Sequence, residues 1–120
     1  LLGQLGECLR VASGLQRTGV AIQAVSGALY RELTLADTVR AAVSSGESES
    51  AVFGKLRIWQ SRQGPMRQLL RRLTGAALGE SFQALALIDR QSKGRAGGDP
   101  WQTLDRLLVQ ICQPGTAGFN

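Results

Sequence analysis

Residues 20–43, VAIQAVSGALYRELTLADTVRAAV, decide the fold. Ile22, Val25, Leu29, Leu33, Ala36, Val39 and Val43 recur at three- and four-residue intervals, so in an α-helix they line one side of the rod. No proline interrupts the run. The spacing predicts a long amphipathic helix whose apolar stripe other elements must cover. Nowhere does the alternation that marks a strand persist for more than a few residues, so those other elements are expected to be helices too.

Working outward, Leu2, Leu5, Leu9 and Ala12 predict a preceding helix over 2–17, ended by Thr18-Gly19, where glycine supplies the left-handed turn that stops a helix. On the other side, SSGESES (44–50) is a polar loop with nothing to bury. Residues 51–56 read as a short helical turn leading into Arg57-Ile58-Trp59. Pro65 lacks an N–H and disfavours helix at Gly64, which predicts a helix starting at Pro65 as its first-turn residue. Met66, Leu69, Leu70 and Leu73 form the apolar face of that helix, and Arg67, Arg71 and Arg72 its basic face.

Thr74 is placed to cap the next helix, which runs to about Gln91 and buries Leu78, Phe82, Leu85 and Ile88. SKGRAGGD (92–99) reads as a flexible basic loop. The last helix has the clearest start, with Asp99 as N-cap, Pro100 in the first helical position and Gln102 three residues after the cap. Trp101, Leu104, Leu107, Leu108 and Ile111 supply its core face, and Pro114-Gly115 stops it. The expected fold is all-α: a single bundle of about five helices over residues 1–113, with a flexible tail at 114–120. Its structural core is expected to include Leu29, Leu33, Trp59, Leu69, Leu73, Phe82, Trp101 and Leu108.

Composition narrows the chemistry. A chain of 120 residues suits one domain, and at 43% hydrophobic with 5% aromatic residues its core must be mainly Leu, Ala, Val and Ile. It begins at Leu1 without an initiator methionine, which predicts a piece of a longer protein. No apolar run is long enough for a membrane span, and no signal-peptide pattern appears. Cys8 and Cys112 fall on apolar helix faces at opposite ends of the chain, and are expected to be buried free thiols of a reduced, cytoplasmic protein rather than a disulfide.

There is no histidine, which removes most zinc sites, the Ser-His and Cys-His nucleophile pairs and imidazole acid–base chemistry. Asp37, Asp89, Asp99 and Asp105 occur singly, and Glu47 with Glu49 lie at a loop, so no acid–base pair or metal set is expected. GRAGGD has neither the Walker spacing nor a preceding strand. No catalytic residue, cofactor or metal is therefore expected.

Charge is the remaining signal. Lys and Arg number 14 against 9 Asp and Glu, a net +5. Between Glu49 and Glu80 there is no acidic residue, while Lys55, Arg57, Arg62, Arg67, Arg71 and Arg72 all fall there. Such a segment suits phosphate or an acidic partner, and on charge alone a solvated face accounts for it at least as well. Lys93 and Arg95 are a second basic candidate. Trp59, among arginines, has the composition of a base-stacking platform. An isolated aromatic at a helix start more commonly packs inward, and the core reading is preferred for Trp59 and for Trp101.

Three segments in order, ALYREL (28–33), KLRIWQSRQGPMRQLLRRLT (55–74) and PWQTLDRLLVQIC (100–112), resemble the C-terminal domain of the delta subunit of bacterial DNA polymerase III, a sliding-clamp loader component. The middle segment is the specific one: a basic residue, Ile-Trp, a polar pair, Arg, Gly, an apolar residue and a leucine-rich helix. The resemblance covers most of residues 15–112. It implies a non-catalytic collar domain that joins those of the gamma or tau and delta prime subunits. The parent subunit would be AAA+-like, would not hydrolyse ATP and would belong to a nucleotidyltransferase holoenzyme. Its N-terminal region, outside this sequence, would grip the sliding clamp, and primed DNA would lie within the assembled complex. Lys55, Arg57, Arg62, Arg67, Arg71, Arg72, Lys93 and Arg95 are then candidates for facing DNA or a neighbouring subunit. The alternative is a free-standing nucleic-acid-binding helical domain using Lys55 to Arg72. A basic membrane-surface helix is disfavoured, because Pro65 leaves too short a helix beyond it.

Overall fold

The computed structural model describes residue 10 and residues 12–112, and among these it is helical with no strand. After α1 (residues 12–17) come α2 (Ile22–Ser44), α3 (Glu49–Lys55), α4 (Gln60–Arg72), α5 (Gly75–Ser92) and α6 (Pro100–Cys112). The all-α bundle is as expected, with six helices because the short turn at 51–56 is a helix of its own. Ser48 Oγ accepts from the Ala51 N–H at 3.1 Å and starts α3. Thr74 Oγ1 accepts from the Ala77 N–H at 3.1 Å and starts α5. The Asp99 carboxylate accepts from the Trp101 N–H at 3.0 Å, so α6 begins at Pro100 as the sequence signals indicate.

Cross-links between side chains fix the directions of the helices. Tyr30 meets the Phe82 ring edge-on, and a groove runs from there to Gln23 and Asp89, so α2 and α5 are antiparallel. Glu80 accepts from Gln110 and Gln91 from Thr103, so α5 and α6 are antiparallel as well. By contrast, Glu32 pairs with Arg62, and Arg40 donates to the carbonyls of Leu70 and Leu73. The offset stays near thirty residues along both helices, which makes α2 and α4 parallel, with α3 as the return.

The central helix α2 serves two apolar clusters. Its Leu33 packs with Leu73, Leu78, Ile88, Leu104 and Leu107, drawn from α4's end, α5 and α6. One turn further on, Ala36 and Val39 pack with Val52, Phe53, Ile58 and Met66 from α3 and α4. Each fully buried side chain of this size stabilises the fold by roughly 1.5–3 kcal/mol relative to exposure. Of the expected core, Leu33 and Leu73 are fully buried, while Leu29, Leu69, Phe82, Trp101 and Leu108 are partly buried and pack against the first cluster.

Two readings of the sequence are corrected. Trp59 is not in the core: it is 75% exposed. The backbone at Trp59 is extended (φ −63°, ψ 150°), and in extended chain successive side chains point in opposite directions. Ile58 takes the inward position at 4% exposure, so Trp59 faces out. Second, α4 begins at Gln60, and Pro65 lies inside it. The missing N–H forfeits one bond, to the carbonyl of exposed Ser61, which water can occupy. Gly64 has no Cβ to collide with the proline ring, and this lifts the usual bar on helix before proline.

The loop 93–99 is bonded to its flanking helices through Gln91. Gln91 Nε2 donates to the Gly97 carbonyl at 3.0 Å while Gln91 Oε1 accepts from the Thr103 hydroxyl at 2.7 Å, tying the loop to α5 and α6. Gly98 is required there, with φ 103° and Gln91 only 2.6 Å from where a Cβ would stand. Cys8, the side chain of Cys112, most of the helix expected over 2–17 and the tail expected at 114–120 lie outside the described residues.

Candidate nucleic-acid interface

The basic segment is displayed around the α3–α4 corner and along α4. Lys55 ends α3, Arg57 and Trp59 form the turn, Arg62 is in the first turn of α4, Arg67 is midway, and Arg71 and Arg72 close it. Arg57 has φ 56°, a left-handed conformation unusual for a residue with a side chain, and it turns the chain so that Ile58 goes in and Trp59 out. The outcome is an exposed indole flanked in sequence by exposed Arg57 and Arg62.

The absence of acids between Glu49 and Glu80 does not survive folding. Glu32 of α2 accepts from Arg62 Nη2 at 2.6 Å. Glu49, at the start of α3, accepts from Arg67 Nε at 2.5 Å, and the Arg67 guanidinium also stands 5.0 Å over the Phe53 ring. Glu47 accepts from Lys55 Nζ at 2.6 Å. All three pairs are solvent-accessible, and exposed pairs of this kind contribute only about 0–1 kcal/mol each. Among the described residues no side chain pairs with Arg57 or Arg71. Charge counted along the chain does not pair Glu32, Glu47 and Glu49 with these cations, because the carboxylates come from the elements before the basic segment.

Lys93 and Arg95 lie in the α5–α6 loop, where Lys93 pairs with Asp89 at 3.2 Å. Asp89 faces Gln23 across the groove, whereas Arg62 meets α2 at Glu32, nine residues further along. At 1.5 Å rise per residue these points are roughly 13 Å apart along α2, so the two basic groups form two patches.

Arg40 is a cation the sequence reading did not single out. Its guanidinium projects from α2 onto the C-terminal end of α4, giving hydrogen bonds to the Leu70 carbonyl at 2.6 Å and to the Leu73 carbonyl. These are the last carbonyls of a helix with no glycine stop, and positive charge is favourable there. Its Nε is buried without a partner. No spacing rule marks such a residue, since its target lies thirty residues away. Among the described residues no group of three His, Cys, Asp or Glu side chains could hold a metal, and no helix is long and apolar enough to cross a membrane.

Exposed Trp59, next to Arg57 and Arg62 in the sequence, puts a flat π-face near guanidinium groups, which suits an unpaired base and its neighbouring phosphates, while Arg67, Arg71 and Arg72 lie further along α4. No protein-family model and no solved structure matches the chain. Two curated proteins do match it. The chain is similar to DNA polymerase III subunit delta of Haemophilus influenzae, 31% identical over 120 aligned positions that cover 93% of this chain and 35% of that protein. It is similar also to DNA polymerase III subunit delta of Escherichia coli, 29% identical over 112 positions, covering 93% of this chain and 32% of that protein. The chain spans about a third of the length of these relatives, and the resemblance to the delta subunit read from its motifs is borne out.

Proposed function

From that similarity we propose that the chain is a non-catalytic assembly module of a DNA polymerase III clamp loader. It acts as part of a delta-type subunit, joined through helical collar contacts to gamma or tau and delta prime subunits. The larger subunit engages the sliding clamp through regions outside this chain, and the complex works on primed DNA in the cytoplasm. The observation that carries the reading is the match to two delta subunits over 93% of the chain. Exposed Trp59 beside Arg57 supports a face turned toward the DNA within the complex.

The test is reconstitution. The protein is mixed with gamma or tau and delta prime subunits, sized by chromatography, and assayed for loading of the clamp onto primed DNA. Co-elution with loss of loading on Trp59→Ala/Arg57→Gln is the expected result. A protein that ignores those subunits, yet binds DNA alone with steep salt dependence, is instead a free-standing nucleic-acid-binding domain.

A further inference from the structure

We infer that Glu32 and Glu49 gate the basic face, each holding an α4 arginine with a carboxylate that a nucleic-acid backbone phosphate displaces. The inference rests on the reading of this face as DNA-facing and adds a selectivity device to it. The arginines fall into two kinds. Arg57 and Arg71 have no ion-pair partner among the described residues, while Arg62 and Arg67 are each met by a carboxylate carried on a different helix.

Each pair is a single contact between one guanidinium nitrogen and one carboxylate oxygen, Nη2 for Arg62 and Nε for Arg67. The remaining N–H groups of both guanidiniums stay available for a second acceptor. The four side chains are between 39% and 49% exposed, so a phosphate can reach them and the pairs are weak enough to exchange. A strand that meets only Arg57 and Arg71 therefore binds loosely. Arg62 and Arg67 lie five residues apart on α4, roughly 140° around the helix, so a strand whose base is seated on Trp59 reaches Arg62 first and follows α4 round to Arg67, replacing Glu32 and then Glu49.

Exchange has a thermodynamic signature. A phosphate captured by an unpaired arginine releases condensed cations. A phosphate captured from a carboxylate leaves that carboxylate to gather cations again, and part of the release is cancelled. The salt dependence of the wild-type protein therefore undercounts its phosphate contacts.

The experiment measures binding of a labelled thymidine oligonucleotide to the full-length protein by fluorescence anisotropy across a salt series. Glu32→Gln/Glu49→Gln is compared with Glu80→Gln/Asp105→Asn, which changes net charge equally but lies on α5 and α6. At about 0.7 in slope per single-strand phosphate, the first variant is expected to show a slope steeper by about 1.4 and an affinity about ten-fold above the control. Equal slopes and affinities in the two double variants, with binding lost in Trp59→Ala, overturn the gate and leave the face as the DNA contact. Unchanged binding in Trp59→Ala overturns the DNA-facing reading and the gate with it. Thermal melting of each variant, with Glu32→Gln alone as a milder second form, shows that folding is not what changes.

Discussion

The two tryptophans separate what a residue's type says from what its backbone says. Trp101, on α6 with its backbone N–H held by Asp99, packs against the first cluster and is partly buried. Trp59 stands on extended chain with Ile58 turned inward beside it. Trp101→Ala is expected to cost about 3 kcal/mol, the low end for a large aromatic because part of the ring is already solvated. Trp59→Ala is expected to change stability by no more than about 0.5 kcal/mol. Urea denaturation of the two variants checks both, and a Trp59 loss above that of Trp101 would reverse the assignment. Composition around Trp59 was legible from the start, whereas its direction was not. The signal available was the Ile-Trp pair itself, since only one of two neighbours in extended chain can face inward.

Among the elements, α2, α5 and α6 were legible to within a residue or two: α2 from apolar periodicity alone, α5 from periodicity with the Thr74 cap, and α6 from periodicity with Asp99 and Pro100. The start of α4 was not, because Pro65 reads as a first-turn residue, while Gly64 before it removes the steric reason for a helix to begin only there. This makes a coupled prediction. Its chain neighbours and its own helix backbone apart, a Cβ at Gly64 meets nothing within 4 Å, so by that space alone Gly64→Ala should stabilise an exposed helix position by about 0.5–1 kcal/mol. With Pro65 in place the new Cβ meets the ring, and the gain is expected to vanish or reverse. Pro65→Ala alone restores a hydrogen bond and is expected to add about 1–3 kcal/mol, less the loss from a freer unfolded chain. The double variant should exceed the sum of the single ones, and a double-mutant cycle by thermal denaturation measures the excess. Simple additivity would show that Gly64 plays no part in admitting the proline.

For the whole molecule, one contribution to the acid response comes from Asp105 on α6. Burial, then the negative charge of Asp99, raises the Asp105 carboxyl above its ordinary value of 3.8. The folded state thus prefers the protonated form, and the stability this contributes is complete below pH 3.8 and lost as pH rises through the raised value. At neutral pH, Asp105→Asn is expected to raise the melting temperature slightly, and the difference from wild type should fade on acidification below pH 3.8. A variant that melts lower than wild type at neutral pH would show that the Asp105 carboxylate has a favourable partner. The fold class was legible from periodicity because every element had to hide one stripe. The electrostatic layout was not, because Glu32, Glu47 and Glu49 meet their partners only after α2, α3 and α4 are stacked.

The guanidinium of Arg40 on the end of α4 bears on the order in which the chain folds. The helix α4 carries a proline, has Met66 as its one fully buried residue and ends on carbonyls satisfied from α2, so little holds it together before α2 arrives. A peptide of residues 58–74 should show almost no helicity in water, being near the length at which isolated helices are marginal. In the intact chain α4 should lock last, after α2 has met α5 and α6. Arg40→Ala is then expected to cost about 1.5–3 kcal/mol, the scale of a hydrogen bond to a charged group. That loss should appear as faster unfolding with an unchanged refolding rate, a φ-value near zero, in stopped-flow chevrons. Slower refolding in Arg40→Ala would place the α2–α4 clasp in the nucleus instead.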